Sequence, residues 1–219
     1  MRVGVIDSGL HQNLLTPGNP FLESFSTWQM AVFSTGTEIR ARIHTTQDIA
    51  RWWLEEGAPD PCWDSCGHGS QVTKTILQNT NRVKILSVQV LDQENSGVEA
   101  CFLAAWSWLL DQKPDVINFS LGCVASRPDL WATLVERSQC LKVKLIAAAG
   151  LFPTSPAEIP GVLAVGDSLL RDHPELELSW KNRIGRWVES SVFTQAGSNS
   201  SSSLACAWET ARYIKGSSG

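Results

Sequence analysis

No stretch of this 219-residue sequence holds an apolar run approaching the ~20 residues that a bilayer-spanning helix needs. The amino terminus, Met1-Arg-Val-Gly-Val-Ile6, meets Asp7 before an apolar region of signal-peptide length has formed, so no secretory leader is legible. A cytoplasmic protein is the expectation. An excess of positive charge is also lacking. The 18 basic residues face 22 acidic ones, for a net charge of −4, and no Lys/Arg cluster forms a stripe. That excludes nucleic acid and the membrane surface as expected partners. Tyrosine is nearly absent, with one residue against ten Trp, and most of the Trp are expected in the core. Six cysteines are present, and Cys62 and Cys66 are three residues apart. No second pair follows at zinc spacing, so neither a metal nor a cofactor is expected. In a cytoplasmic setting these thiols are reduced.

What is present is a folding composition. Hydrophobic residues make up 43% and charged residues 18%, enough apolar surface for one packed domain. The domain is expected over residues 1–216, with 217–219 a flexible end. Arg2-Val-Gly-Val-Ile6 reads as a buried strand closed by an Asp-Ser-Gly turn. Residues 11–46 read as irregular, and 47–56 as a helix bearing Trp52 and Trp53. Residues 69–79 read as a second helix and 82–91 as a strand rich in β-branched residues. Residues 96–112 read as a helix whose Ser96 and Glu99 form a capping box. A strand at 115–122, a helix opened by Pro128 over 128–140, and strands at 142–150 and 161–167 follow. Two further segments, 175–182 and 186–193, read as hairpin strands. Alternation of strands and helices predicts an α/β fold: a mostly parallel central sheet with helices on both faces. Ligands of such sheets gather at the carboxyl ends of the strands.

That rim collects chemistry-bearing residues. Asp7 ends the first strand, Ser120 the third and Leu151 follows the fourth. His68 lies between two glycines, and a serine run, 200–203, precedes an apolar helical stretch. Asp, His and Ser in this order match one of the chain orders in which nucleophilic triads occur.

The surrounding motifs carry a family resemblance. "VIDSG" at Asp7, "DSCGHGSQV" at His68, the segment from Val90 to Gly122, "IAAAG" with the strand after it, and "SSSLACAWETA" all resemble the corresponding subtilase blocks, in order, almost end to end. Ser203 falls on the nucleophile position, since Leu204 and Ala205 fill the x-Ala places of Gly-Thr-Ser-x-Ala-x-Pro. The resemblance implies a subtilisin-like three-layer fold and a serine endopeptidase that works through an acyl-enzyme. Ser203 would attack. His68 would accept its proton, and Asp7 would fix the imidazole. The backbone of Ser120, Leu121 and Gly122 would pair with an extended peptide, and Gly150 would either be a plain turn after the strand or shape the floor of the P1 pocket. Peptide or protein substrates are the implied partners.

The departures bear on activity. The family's oxyanion Asn corresponds to Leu151, which has no donor, and losing one such donor lowers the rate on the order of 10²–10³-fold. Thr154 and Ser155 are nearby donors. Ser201 and Ser202 replace Gly-Thr, Ala207 replaces the motif proline, and Ser70 stands where Thr is usual. No acidic calcium loop is legible in 21–60, and no pro-segment is visible ahead of the first strand. Two readings therefore stand: a compact peptidase that processes a defined peptide, and a peptide-binding pseudoenzyme. An esterase would want a Gly-x-Ser-x-Gly elbow, and none is centred on Ser203.

Overall fold

The computed structural model describes residues 1–11, 14, 25–35, 38–45, 64, 66–80, 83–189, 191 and 201–217, with 25–35 and 38–45 described in backbone alone. The chain opens on strand β1 (Arg2–Asp7), followed by β2 (Phe25–Thr35), β3 (Glu38–Thr45) and helix α1 (His68–Gln78). Strand β4 (Lys84–Gln89), helix α2 (Glu99–Asp111), β5 (Val116–Phe119), α3 (Pro128–Cys140) and β6 (Lys144–Ala148) come next. The chain then forms β7 (Leu163–Asp167), the short helix α4 (Leu178–Arg183), β8 (Arg186–Val188) and α5 (Ser202–Gly216). The strands form one sheet in the order β3-β2-β4-β1-β5-β6-β7-β8. Every pairing is parallel except β2 with β3.

Period-two alternation divides the sheet between two cores. On β5, Val116 packs with Val72 and Ile76 of α1, whereas Ile117 and Phe119 face Trp106 of α2 and Trp131 of α3. Successive strand side chains point to opposite faces, so an apolar run serves both layers. Helices α1 and α5 cover one face and α2 and α3 the other, which is the expected three-layer α/β arrangement. Trp106 meets Phe119 edge-on, with centroids 4.9 Å apart, and is fully buried, as expected for a core Trp. Trp52 and Trp53 lie outside the described residues, as does the helix expected at 47–56.

Three readings need correction. Residues 11–46 are not irregular throughout, because β2 and β3 lie within them. The alternation Glu-Ile-Arg-Ala-Arg-Ile in 38–43 was the available strand signal. The capping box is not formed: the N-cap of α2 is Val98, without a side-chain cap. Glu99 instead accepts from Ser126 N–H (3.0 Å), the Ser126 hydroxyl, Arg127 N–H (3.3 Å) and Trp131 Nε1 (2.6 Å). These contacts bind α2 to the start of α3. Among the described residues the hairpin expected at 175–193 is absent as well. Leu178–Arg183 is helical, with Trp180 buried among Leu176 and Ile184, and Arg186–Val188 pairs parallel with β7. An aromatic anchor seeking the core outweighed the local β propensity.

Strands β1, β5 and β6 are neighbours, so their carboxyl ends share one rim. Asp7 closes β1, Ser120 follows β5, and Ala149 and Gly150 follow β6.

Candidate active site

Asp7 is 1% exposed. Its Oδ1 accepts from the Ser8 N–H at 2.7 Å and lies 2.7 Å from His68 Nδ1. His68 is the first residue of α1, and the glycines beside it act differently. Gly67 caps α1 at φ +81°, a left-handed conformation that favours glycine. Gly69 is needed for close approach, because a Cβ there would stand 2.4 Å from the Gly9 carbonyl and 3.1 Å from Asp7 Oδ1. The missing side chain lets α1 rest on the β1 turn and bring His68 to Asp7.

A second buried carboxylate, not singled out in the sequence, supports this contact. Asp64 Oδ1 accepts from Gly67 N–H at 2.8 Å and from the Ser8 hydroxyl at 2.7 Å, and its Oδ2 accepts from Ser70 N–H at 2.7 Å. The Ser8 oxygen in turn accepts from Gly69 N–H at 2.8 Å. Asp64 thus satisfies the free N–H groups at the start of α1. An acid four residues before His68 was the legible signal. Burial alone would lower the His68 pKa. The hydrogen bond to Asp7, the charge of Asp7 and the charge of Asp64 outweigh it and hold the pKa above its ordinary value.

The serine run resolves at the head of α5. Ser201 is the N-cap and accepts from Leu204 N–H at 3.3 Å. Ser202 donates to the Ala149 carbonyl at 2.6 Å. Ser203 donates to the Ser120 carbonyl at 2.8 Å, and the Ser120 hydroxyl lies 3.0 Å from the Ser203 carbonyl. Behind this clasp, buried Asn118 accepts from the Ser120 hydroxyl at 2.9 Å and donates to Thr210 Oγ1 at 3.0 Å. The Ser203 N–H lies in the first turn of α5, which has no intrahelical acceptor and carries the positive end of the helix dipole.

Ser203 and His68 line one cleft of about 350 Å³ together with Ser120, Leu121 and Gly122. Leu91, Asn95, Gly97 and Phe102 complete the opposite side, and the sequence reading had not picked them out. Gly150 and Leu151 do not line this cavity; they follow β6 on the other side of Ser120. Of the nearby donors, Ser155 gives its hydroxyl to Glu158 Oε1 at 2.7 Å. Cys123 also borders the cleft. Burial and the charges of Glu99 and Glu158 push its thiol up to about 11, so it is protonated at neutral pH and does not rival serine as a nucleophile. Burial keeps the Cys206 thiol protonated too. Cys66 is exposed, with Sγ 3.6 Å from Asp64 Oδ1, and Cys62 lies outside the described residues.

A mostly parallel sheet covered on both faces, with an Asp–His contact at its rim and a serine heading the helix beside them, defines an α/β protein of the subtilisin-like fold. The subtilase family model matches residues 1–208, and the chain belongs to that family. Subtilisin E of Bacillus subtilis (strain 168) is 30% identical over 124 residues, 49% of this chain and 32% of that protein. An intracellular serine protease of Paenibacillus polymyxa is 29% identical over 140 residues, covering 56% and 41%. The matched part thus spans from about a third to under half of these relatives. Among solved structures, a cold-adapted subtilisin-like serine proteinase superposes at TM-score 0.64 with 21% identity, covering 98% of this chain and 75% of that one. A lanthipeptide protease superposes at 0.55 with 21% identity, covering 77% and 48%. Both likenesses bear on the fold.

Proposed function

We propose that this chain is a serine endopeptidase that cleaves an extended peptide through an acyl-enzyme on Ser203. The observation that carries the reading is the 2.7 Å contact of His68 Nδ1 with buried Asp7, in a cleft that His68 shares with Ser203. The peptide pairs with Ser120–Gly122 as an added strand. Ser203 Oγ attacks the carbonyl while His68 Nε2 takes its proton, and Asp7 holds the Nδ1 proton and stabilises the imidazolium. The Ser203 N–H at the head of α5 faces the developing oxyanion. The imidazolium then protonates the leaving amine. Water, deprotonated by the same imidazole, releases the acid and restores Ser203.

The substrate class proposed is a defined peptide or protein processed at one site. The likeness to a lanthipeptide protease supports it by analogy only. A cytoplasmic setting is proposed on the kinship with an intracellular serine protease. Among the described residues no helix is long and apolar enough to cross a membrane.

A second reading is a peptide-binding pseudoenzyme. Two observations favour it: Leu151 lacks a donor, and the Ser203 hydroxyl rests on Ser120 instead of His68. A fluorophosphonate probe decides between the two. Labelling of the wild type that disappears in Ser203→Ala is the expected result. No labelling of the folded wild type at any pH leaves the binding module as the function.

A further inference from the structure

The proton of Ser203 is turned away from the base that must take it. The Ser203 hydroxyl donates to the Ser120 carbonyl at 2.8 Å, and no other donor among the described residues reaches that carbonyl. Ser120 stands where β5 leaves the sheet, because the pairings of β5 with β1 and with β6 both end at Phe119. Leu121 and Gly122, next along the same wall, make no backbone hydrogen bond among the described residues. Ser120–Gly122 is therefore an open strand edge whose first acceptor is held by Ser203 alone.

Unpaired N–H and C=O groups along such an edge are a template for an added strand. In an antiparallel pair the residues that bond through the backbone recur at every second position, here Ser120 and Gly122. Attack needs a substrate carbonyl carbon about 3–3.5 Å from Ser203 Oγ. The amide nitrogen of the same residue lies about 2.5 Å from that carbon. Ser203 Oγ is itself 2.8 Å from the Ser120 oxygen, so this N–H is the substrate group brought against the Ser120 carbonyl. Peptide and hydroxyl both approach from the cleft that Ser120 and Ser203 line together, and they compete for the lone pair that faces it.

We infer that the backbone N–H of the substrate is the trigger that arms Ser203: it takes over the Ser120 carbonyl, and the displaced hydroxyl turns to His68 Nε2. One hydrogen bond is exchanged for another, and no proton changes owner in this step. The inference rests on the peptidase reading above and specifies its substrate. The residue that carries the scissile carbonyl must have an N–H. Proline, N-methylated residues and simple esters leave the nucleophile at rest. The contact that favours a pseudoenzyme is then the resting arrangement of a peptidase.

A peptidyl diphenyl phosphonate and its counterpart, N-methylated at the residue that bears phosphorus, are compared as labels of Ser203. One neutral hydrogen bond favours the resting hydroxyl about fivefold. N-methylation is therefore expected to lower the limiting labelling rate by about fivefold or more, beyond any change in half-saturation. An unchanged limiting rate overturns the inference.

A second measurement needs no reaction. Acetyl-Ala-Ala ethylamide offers the N–H with no carbonyl beyond it to attack, and its N-methyl form lacks that N–H. Nitrogen NMR of the His68 ring is recorded for the wild type and Ser203→Ala at a pH where the ring is neutral. The free proteins are expected to share one Nε2 signal. Ethylamide in excess should separate the wild type from Ser203→Ala, and the N-methyl form should leave them alike. Free proteins that already differ overturn the inference, as does an ethylamide that leaves them alike or an N-methyl form that separates them equally. If neither phosphonate labels Ser203 while the NMR pattern holds, the peptidase reading fails and the hydroxyl switch stands.

Discussion

The hydroxyl of Ser203 donates to the Ser120 carbonyl at 2.8 Å, and the Ser120 hydroxyl lies 3.0 Å from the Ser203 carbonyl. This reciprocal clasp ties the end of β5 to the head of α5, and Asn118 supports it from below. Asn118→Ala removes one of the two acceptors of the Ser120 hydroxyl and leaves Thr210, fully buried, without its amide donor. Leaving buried polar groups unsatisfied costs about 1–3 kcal/mol. The expected result is a lower Tm and a kcat that falls more than KM rises. An unchanged kcat in the folded variant would show that the clasp does not position Ser203.

The raised His68 pKa gives a pH profile with a definite sign. The imidazole must be neutral to take the Ser203 proton. Activity should therefore rise with pH through a midpoint above the ordinary histidine value, read from kcat/KM. The same shift stabilises the fold below the ordinary pKa of histidine, and this contribution fades as pH rises through the raised value. Asp64→Asn removes one of the charges that raise the pKa, so the acid limb should move to lower pH. A limb that does not move would remove Asp64 from the electrostatics of the site.

Gly69→Ala places a methyl group 2.4 Å from the Gly9 carbonyl, a backbone atom that cannot swing aside. Overpacking of this kind costs about 1–3 kcal/mol, and α1 must move away from β1. Thermal melts should show the loss of stability, and fluorophosphonate labelling of the residual folded protein should slow. Gly67→Ala should be destabilised by a different route, strain at φ +81°, with no clash involved.

Leu151→Asn tests the proposal that Leu151 occupies the oxyanion-donor position. If the side chain reaches the oxyanion, kcat should increase, by up to on the order of 10²-fold, with KM little changed. No gain would mean that another donor already serves the oxyanion. Ser155 is a poor candidate for that role, since its hydroxyl is held by Glu158.

The layered fold was legible because buried strands announce themselves. Val-Ile-Asn-Phe of β5 and Lys-Leu-Ile-Ala-Ala of β6 stand where the apolar runs placed them, and Pro128 opens α3 as its fixed φ suggests. The hairpin at 175–193 was misread because Trp180 reaches the core through a helical turn, which strand propensity does not register. Glu99 was misread for a related reason. Its capping partner is not Ser96 three residues before it but a turn 27 residues further on, and local spacing carries no information about that contact.

By itself the sequence determined the residue types and their order: an aspartate ending the first strand, a histidine between glycines, a serine at a helix head and a leucine just past the strand at 142–150. Those are properties of local pattern and propensity. Only the tertiary structure decided which of them meet. Parallel pairing set β1, β5 and β6 side by side, and the bare Gly69 let α1 descend until His68 touched Asp7. The bridge between Cys123 and Ser155, and the packing of the Thr154 side chain against Gly122, depend on contacts across 32 residues of chain. Contacts of that range arise from packing, which no short window of sequence encodes.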